Sequence, residues 1–247
     1  MVRNIKLIIE YDGTNYCGWQ SQAGHHSSIQ ETISDALKKI TGKKTTLYGA
    51  SRTDSGVHAL EQTANFFTDS RLPAEKFIPA LNHQLPPDIV IKQALDVPPD
   101  FNARTKARRK TYVYTIMDGP TPSALRRNFI YFAERAKLNL KKMKKAARSL
   151  VGRHNFRSFA TKGHLKENCI REIYSLNICR KKDTLQFKVA GNAFLYNMVR
   201  ALVGTLLMVG RGKIQPEEVK KIIDSHDRKN AGPKVPAQGL CLVKIDY

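Results

Sequence analysis

Asn4-Ile5-Lys6-Leu7-Ile8-Ile9-Glu10-Tyr11 (NIKLIIEY) is the first regular pattern in the chain, an apolar, β-branched run that reads as a strand. Downstream of it, residues 28–40 put Ile29, Ile33, Ala36, Leu37 and Ile40 at helical spacing. Ser28 followed by Glu31 has the form of a capping box at the start of that helix. Strand-like runs lie near residues 45–50 and 57–67, a short helix near 74–83 and a strand at 89–94. The order is β-α-β-β-α-β. A similar order follows: a strand near 108–117, a basic helix near 140–151, and strands at 170–179 and 184–190. An apolar helix at 194–209, a shorter one at 216–224 and a strand at 240–247 complete it. The doubled pattern predicts an α+β protein of two ferredoxin-like (RRM-like) βαββαβ halves with largely antiparallel sheets. The expected division is 1–103 and 104–247.

Composition narrows the function. At 247 residues and 41% hydrophobic content the chain can bury one core or two small ones. Cys17, Cys169, Cys179 and Cys241 are scattered and form no CxxC pair, as expected of reduced thiols in the cytoplasm. Residues 1–10 are too short for a signal peptide, and Arg200 interrupts the longest uncharged region, so no membrane span is expected. Charge is the stronger clue. The formal net charge is +21, and it is uneven: residues 1–100 hold 10 basic and 11 acidic side chains, residues 101–247 hold 32 and 10. Such one-sided charge suits a polyphosphate, because each neutralised phosphate releases condensed counterions. A solvated basic surface or an anionic membrane surface is the alternative.

Three features carry chemistry. Gly49-Ala50-Ser51-Arg52-Thr53-Asp54-Ser55-Gly56-Val57-His58-Ala59 lies between two strand-like runs, a loop of small residues around one Arg and one Asp. It reads equally as an ordinary turn in which Asp54 bonds nearby backbone. From Gly191 to Gly210 the only charged side chain is Arg200, in a helix apolar nearly all round. A guanidinium there keeps its proton and calls for an anion, with Asp54 a candidate; reaching solvent is the other outcome. Finally, Arg104, Lys106, Arg108, Arg109 and Lys110 run into a strand that places Tyr112 and Tyr114 on one face. Basic residues beside aromatics suit phosphate contact and base stacking, although strand tyrosines commonly serve packing.

Arg52-Thr53-Asp54-Ser55-Gly56-Val57-His58 resembles the catalytic loop of the tRNA pseudouridine synthase A family. Other marks agree in order: Tyr11-Asp12-Gly13, Gly18-Trp19-Gln20, Ser28-Ile29-Gln30, Phe101-Asn102-Ala103-Arg104 and Lys110-Thr111-Tyr112-Val113-Tyr114. His154-Asn155-Phe156, Ser158-Phe159, Arg171-Glu172-Ile173, Asn192-Ala193-Phe194, Met198-Val199-Arg200 and Gly239-Leu240 continue the series over almost the whole chain. Ser55 stands where Ala is frequent, and Cys17 and His25-His26 have no counterpart role. The resemblance implies a homodimer acting on the anticodon stem-loop of tRNA and isomerising uridines 38, 39 and 40 without a cofactor or metal. It implies that Asp54 is the essential carboxylate, that Tyr112 contacts the target base, and that Arg52 accompanies base flipping. Arg200 is implied as partner of the aspartate, and Arg104, Arg108, Arg109 and Lys110 are expected on RNA.

Uridine isomerisation breaks the bond from N1 to ribose C1′, turns the ring and joins C5 to the same carbon, with nothing added and no redox change. A carboxylate beside the sugar can attack C1′, take the C2′ proton or add to C6. Rival readings are weaker. A non-catalytic RNA-binding protein accounts for the charge but gives the Arg-Thr-Asp loop no purpose. An aspartic protease requires two Asp-Ser/Thr-Gly carboxylates sharing a proton, and only Asp54-Ser55-Gly56 is present. For a metal site, His25-His26 is too closely spaced, and His58 and His83 lack a nearby Cys or acidic ligand set.

Overall fold

The computed structural model describes residues 2–20, 27–133, 138–161 and 168–247; His25 and His26 lie outside these. Contacts divide the chain into one unit of Met1–Arg108 with Leu242–Tyr247 and another of Arg109–Cys241.

In the first unit, β1 (Arg3–Tyr11) alternates in burial as a pleated strand does, with Ile5, Leu7 and Ile9 fully buried and Lys6, Ile8 and Glu10 half-buried. It pairs antiparallel with β3 (His58–Thr68) on one side and β4 (Ile89–Val97) on the other. Helix α1 (Ile29–Thr41) starts where Ser28 Oγ accepts the Glu31 N–H at 3.1 Å. It stops at left-handed Gly42, whose N–H reaches Lys38 O at 2.9 Å. Its stripe of Ile29, Ile33, Ala36 and Leu37 is buried, and Phe77 of α2 (Phe77–Gln84) meets Phe66 edge to face at 5.4 Å.

The strand expected over residues 45–50 contracts to β2 (Tyr48–Gly49), paired with β3 at Asn65 and Ala64. Beyond it Ala50 N–H still reaches Thr63 O, but the Gln62 side chain then brackets Ser51 from both backbone groups, so a side chain replaces the ladder. The last residues of β10 (Leu240–Asp246) cluster with this unit, although the sequence places them in the second half. β10 neighbours β3, Asp246 O accepts the Arg108 N–H at 2.8 Å, and the Tyr247 hydroxyl donates to Ala103 O at 3.0 Å.

The second unit holds β5 (Arg109–Met117), β6 (Tyr131–Phe132), α3 (Leu140–Arg148), β7 (Gly152–Asn155), β8 (Ile170–Lys181), β9 (Thr184–Gly191), α4 (Met198–Gly210) and α5 (Glu218–Ser225). Its antiparallel sheet runs β5-β9-β8-β7, and β6 pairs parallel with β5. The apolar run expected to be helical from residue 194 begins its helix only at Met198, because Asn197 adopts φ 61°. All of α4 except Met208 is buried, so its uniform hydrophobicity is a core signature. Among the described residues no helix is long and apolar enough to cross a membrane.

Candidate active site

The loop from Ala50 to Val57 is fixed from several directions within the first unit. Thr53 O accepts the Trp19 N–H at 3.1 Å, and Thr53 Oγ1 shares a 2.8 Å hydrogen bond with the Tyr11 hydroxyl. The Ser55 hydroxyl and Gly56 N–H both donate to Tyr16 O, at 3.2 and 3.4 Å. Asp54 O accepts the Val57 N–H, closing the turn that Gly56 completes with φ 76°. Gly18 is required beside it: at φ 110° it lies so close that a β-carbon would stand 2.6 Å from Thr53 O. Tyr16 is tied in turn, its hydroxyl donating to Asp88 Oδ1 at 2.6 Å; burial first and that bond second hold the phenol well above its ordinary range, so it stays a donor.

This scaffold presents Asp54 half-buried, between buried Thr53 and exposed Ser55. A carboxylate on so constrained a backbone is placed with little conformational freedom left to lose on binding. Arg52 is exposed on the same loop, and its pKa is lowered by desolvation and then by the like charge of Arg104. Two guanidiniums that repel each other gain from an anion placed between them, which is how phosphate is commonly held.

The second unit, taken by itself, holds Tyr112, Tyr114 and Arg200. Tyr112, opposite Val189 in the sheet and 6% exposed, meets the Phe194 ring edge to face at 5.4 Å. Tyr114 shares its face but is wholly buried, its hydroxyl donating to Pro236 O at 2.8 Å, so it is a packing residue. Arg200 does not reach solvent: it is 8% exposed, with Nε donating to Val235 O at 2.8 Å and Nη1 to Asn197 Oδ1 at 3.0 Å. Its charge bears on Tyr114, where it opposes the larger upward effect of burial on the phenol. Asn197 is a residue that sequence reasoning missed. Its left-handed backbone turns the amide toward Arg200 and Thr161 instead of capping α4, and an Asn before a helix is the only sequence signal for it.

The basic stretch is divided. Arg104 and Arg108 belong to the first unit, Arg109 and Lys110 to the second. Arg109 is exposed with its guanidinium 5.3 Å from the Tyr174 ring centre, and Lys110 opens the β5 ladder opposite Gly191. His58 accepts the Gly13 N–H at Nδ1, at 3.1 Å, and is buried. No group of three or more His, Cys, Asp or Glu side chains among the described residues is arranged to hold a metal ion.

Known proteins place the chain. The family model described as tRNA pseudouridine synthase matches residues 7–105 and 146–247. Proteins named tRNA pseudouridine synthase A from Acetivibrio thermocellus and from a Thermoanaerobacter species are each 48% identical over 246 residues, covering 100% of both chains. The protein named tRNA pseudouridine synthase A 2 of Clostridium perfringens is 46% identical over the same length. Among solved structures, a chain of a Cbf5-Nop10-Gar1 complex aligns with 11% identity and a TM-score of 0.37, covering 82% of this chain and 53% of that one. The residues that frame the Asp54 loop lie within the matched segments, and this chain belongs to the tRNA pseudouridine synthase family.

Proposed function

We propose that this chain isomerises uridine to pseudouridine in tRNA, with Asp54 as the essential carboxylate. The observation that carries the reading is the Asp54 loop, an acid held on a backbone tied to Trp19, Tyr11 and Tyr16, in a chain 48% identical end to end to proteins named for that reaction. An ionised Asp54 reacts at the sugar or the ring once the nucleotide is turned out of its stack, which costs roughly a few kcal/mol. Contacts to backbone phosphate offset that cost, and the Arg52 and Arg104 pair suits such a phosphate. Tyr112 contacts the uracil, either stacking on it or receiving the C5 proton after the new bond forms. Arg200 is the permanent cation assigned to the carboxylate, and Arg108, Arg109 and Lys110 contribute to RNA affinity. Uridines 38, 39 and 40 of the anticodon stem-loop, a homodimeric state and a cytoplasmic setting complete the reading, as the family resemblance implies.

Release of tritium from C5-labelled uridine in tRNA tests it. Wild-type protein releases the label, whereas Asp54→Asn releases none while binding tRNA within a few-fold of wild type. Release at the normal rate by Asp54→Asn removes the catalytic assignment; no release by the wild type would leave only an RNA-binding protein.

A further inference from the structure

We infer that helix α3 is a second RNA contact, its exposed row of Lys141, Lys144 and Arg148 binding tRNA backbone outside the target stem-loop. The inference rests on tRNA being the substrate and concerns a surface that the catalytic residues do not use. Helix α3 has the sequence LKKMKKAAR, five basic residues in nine with no acidic one. Met143, Ala146 and Ala147 form its buried side. Among the described residues, neighbours engage the basic residues at one edge: Lys145 pairs with Glu217 at 2.5 Å and Lys142 lies 3.4 Å from Gln215 Oε1. Lys141, Lys144 and Arg148 are exposed and have no ion-pair partner among the described residues.

Their spacing of three and then four residues stacks like charges along one face, an arrangement that disfavours a helix by itself. Solubility alone does not call for it in a chain of net charge +21. The row is about 10 Å long at a helical rise of ~1.5 Å per residue. Phosphates recur about every 3.4 Å of axis along one strand of a duplex, so the row can meet roughly three of them. A lipid surface fits poorly, because the apolar side of α3 is already buried and cannot insert.

Direct binding of full-length tRNA and of the isolated anticodon stem-loop hairpin tests the inference. The variant K141Q/K144Q/R148Q is compared with K38Q/K39Q/K44Q, which removes the same charge from exposed positions in the first unit. The α3 variant should bind full-length tRNA about tenfold more weakly near physiological salt, with the log–log salt slope reduced by about 2–3. Its hairpin affinity, and both affinities of the control, should stay within about twofold of wild type, since neither change removes a phosphate contact. Unchanged tRNA affinity, equal losses on both RNAs, or an equal loss in the control overturns the inference. The charge-keeping variant K141R/K144R/R148K should bind like wild type; weak binding by it would mark a packing effect and overturn the inference as well. Wild-type protein that binds tRNA but forms no pseudouridine defeats the proposed activity, while the two affinities still decide the role of α3.

Discussion

Replacing Gly49 with alanine tests whether packing against Trp19 positions the Asp54 loop. A β-carbon at residue 49 would lie 2.5 Å from Cζ2 of the indole and closer still to Cε2 and Nε1. Ordinary carbon contacts are about 3.5–4.0 Å, so the ring must retreat by roughly 1 Å or more. Trp19 is 2% exposed, stands 6.2 Å from the Tyr11 ring centre and donates its backbone N–H to Thr53 O, so it cannot move alone. Overpacking of this kind costs about 1–3 kcal/mol. At roughly 2–4 °C per kcal/mol for a domain of this size, the melting temperature should fall by about 2–12 °C. Trp19 is the only tryptophan in the chain, so its fluorescence reports the displacement directly. Gly49→Ala should shift the emission and lower kcat for pseudouridine formation. Gly42→Ala is the comparison: Gly42 has φ 73° but nothing within 4 Å of a β-carbon, so it introduces strain and no clash. It should destabilise without changing emission or turnover. A Gly49→Ala protein with wild-type melting, emission and turnover would refute the packing argument.

Three further substitutions probe the second unit and the residue that follows β10. Arg200→Met leaves Val235 O and Asn197 Oδ1 without their buried donor and should cost about 2–6 kcal/mol, at about 1–3 kcal/mol for each unsatisfied group, or abolish turnover, in chemical denaturation and activity assays. Lys145→Met, which removes an ion pair with both side chains more than half exposed, should leave both readouts unchanged; equal effects would contradict a special place for Arg200. Burial, the largest effect on the Tyr247 hydroxyl, raises its pKa to about 12. A raised value stabilises the fold fully below the unfolded pKa of about 10 and is lost as pH rises through 12. Tyr247→Phe should therefore lose about 1 kcal/mol at neutral pH, from the bond to Ala103 O, and show a shallower loss of stability between pH 10 and 12 in denaturant titrations. A parallel alkaline limb would refute the assignment.

What could be read from sequence was what local periodicity encodes. The apolar, β-branched run of Asn4 to Tyr11 became β1, and Ser28 with Glu31 marked the start of α1, because both signals act within a short stretch of chain. The long apolar run around Arg200 correctly signalled a buried helix, yet its first turn was lost to the left-handed Asn197, a single-residue conformation that hydrophobic spacing does not encode. The Asp54 loop was recognisable by its motif, but the groups that hold it were not. Tyr11 and Thr53 are separated by 42 positions, and Arg200 and Val235 by 35. Such pairings are settled by tertiary packing, which no window on the sequence spans.

The return of Leu242–Tyr247 to the first unit has a consequence for synthesis. Leu242 follows Arg108 by 134 residues. At ~5–20 residues per second the ribosome needs roughly 7–27 s to make that stretch, and β3 meanwhile lacks its β10 neighbour. An unpaired strand edge is a template for other chains, so the interval before β10 emerges is when newly made protein is most exposed to aggregation.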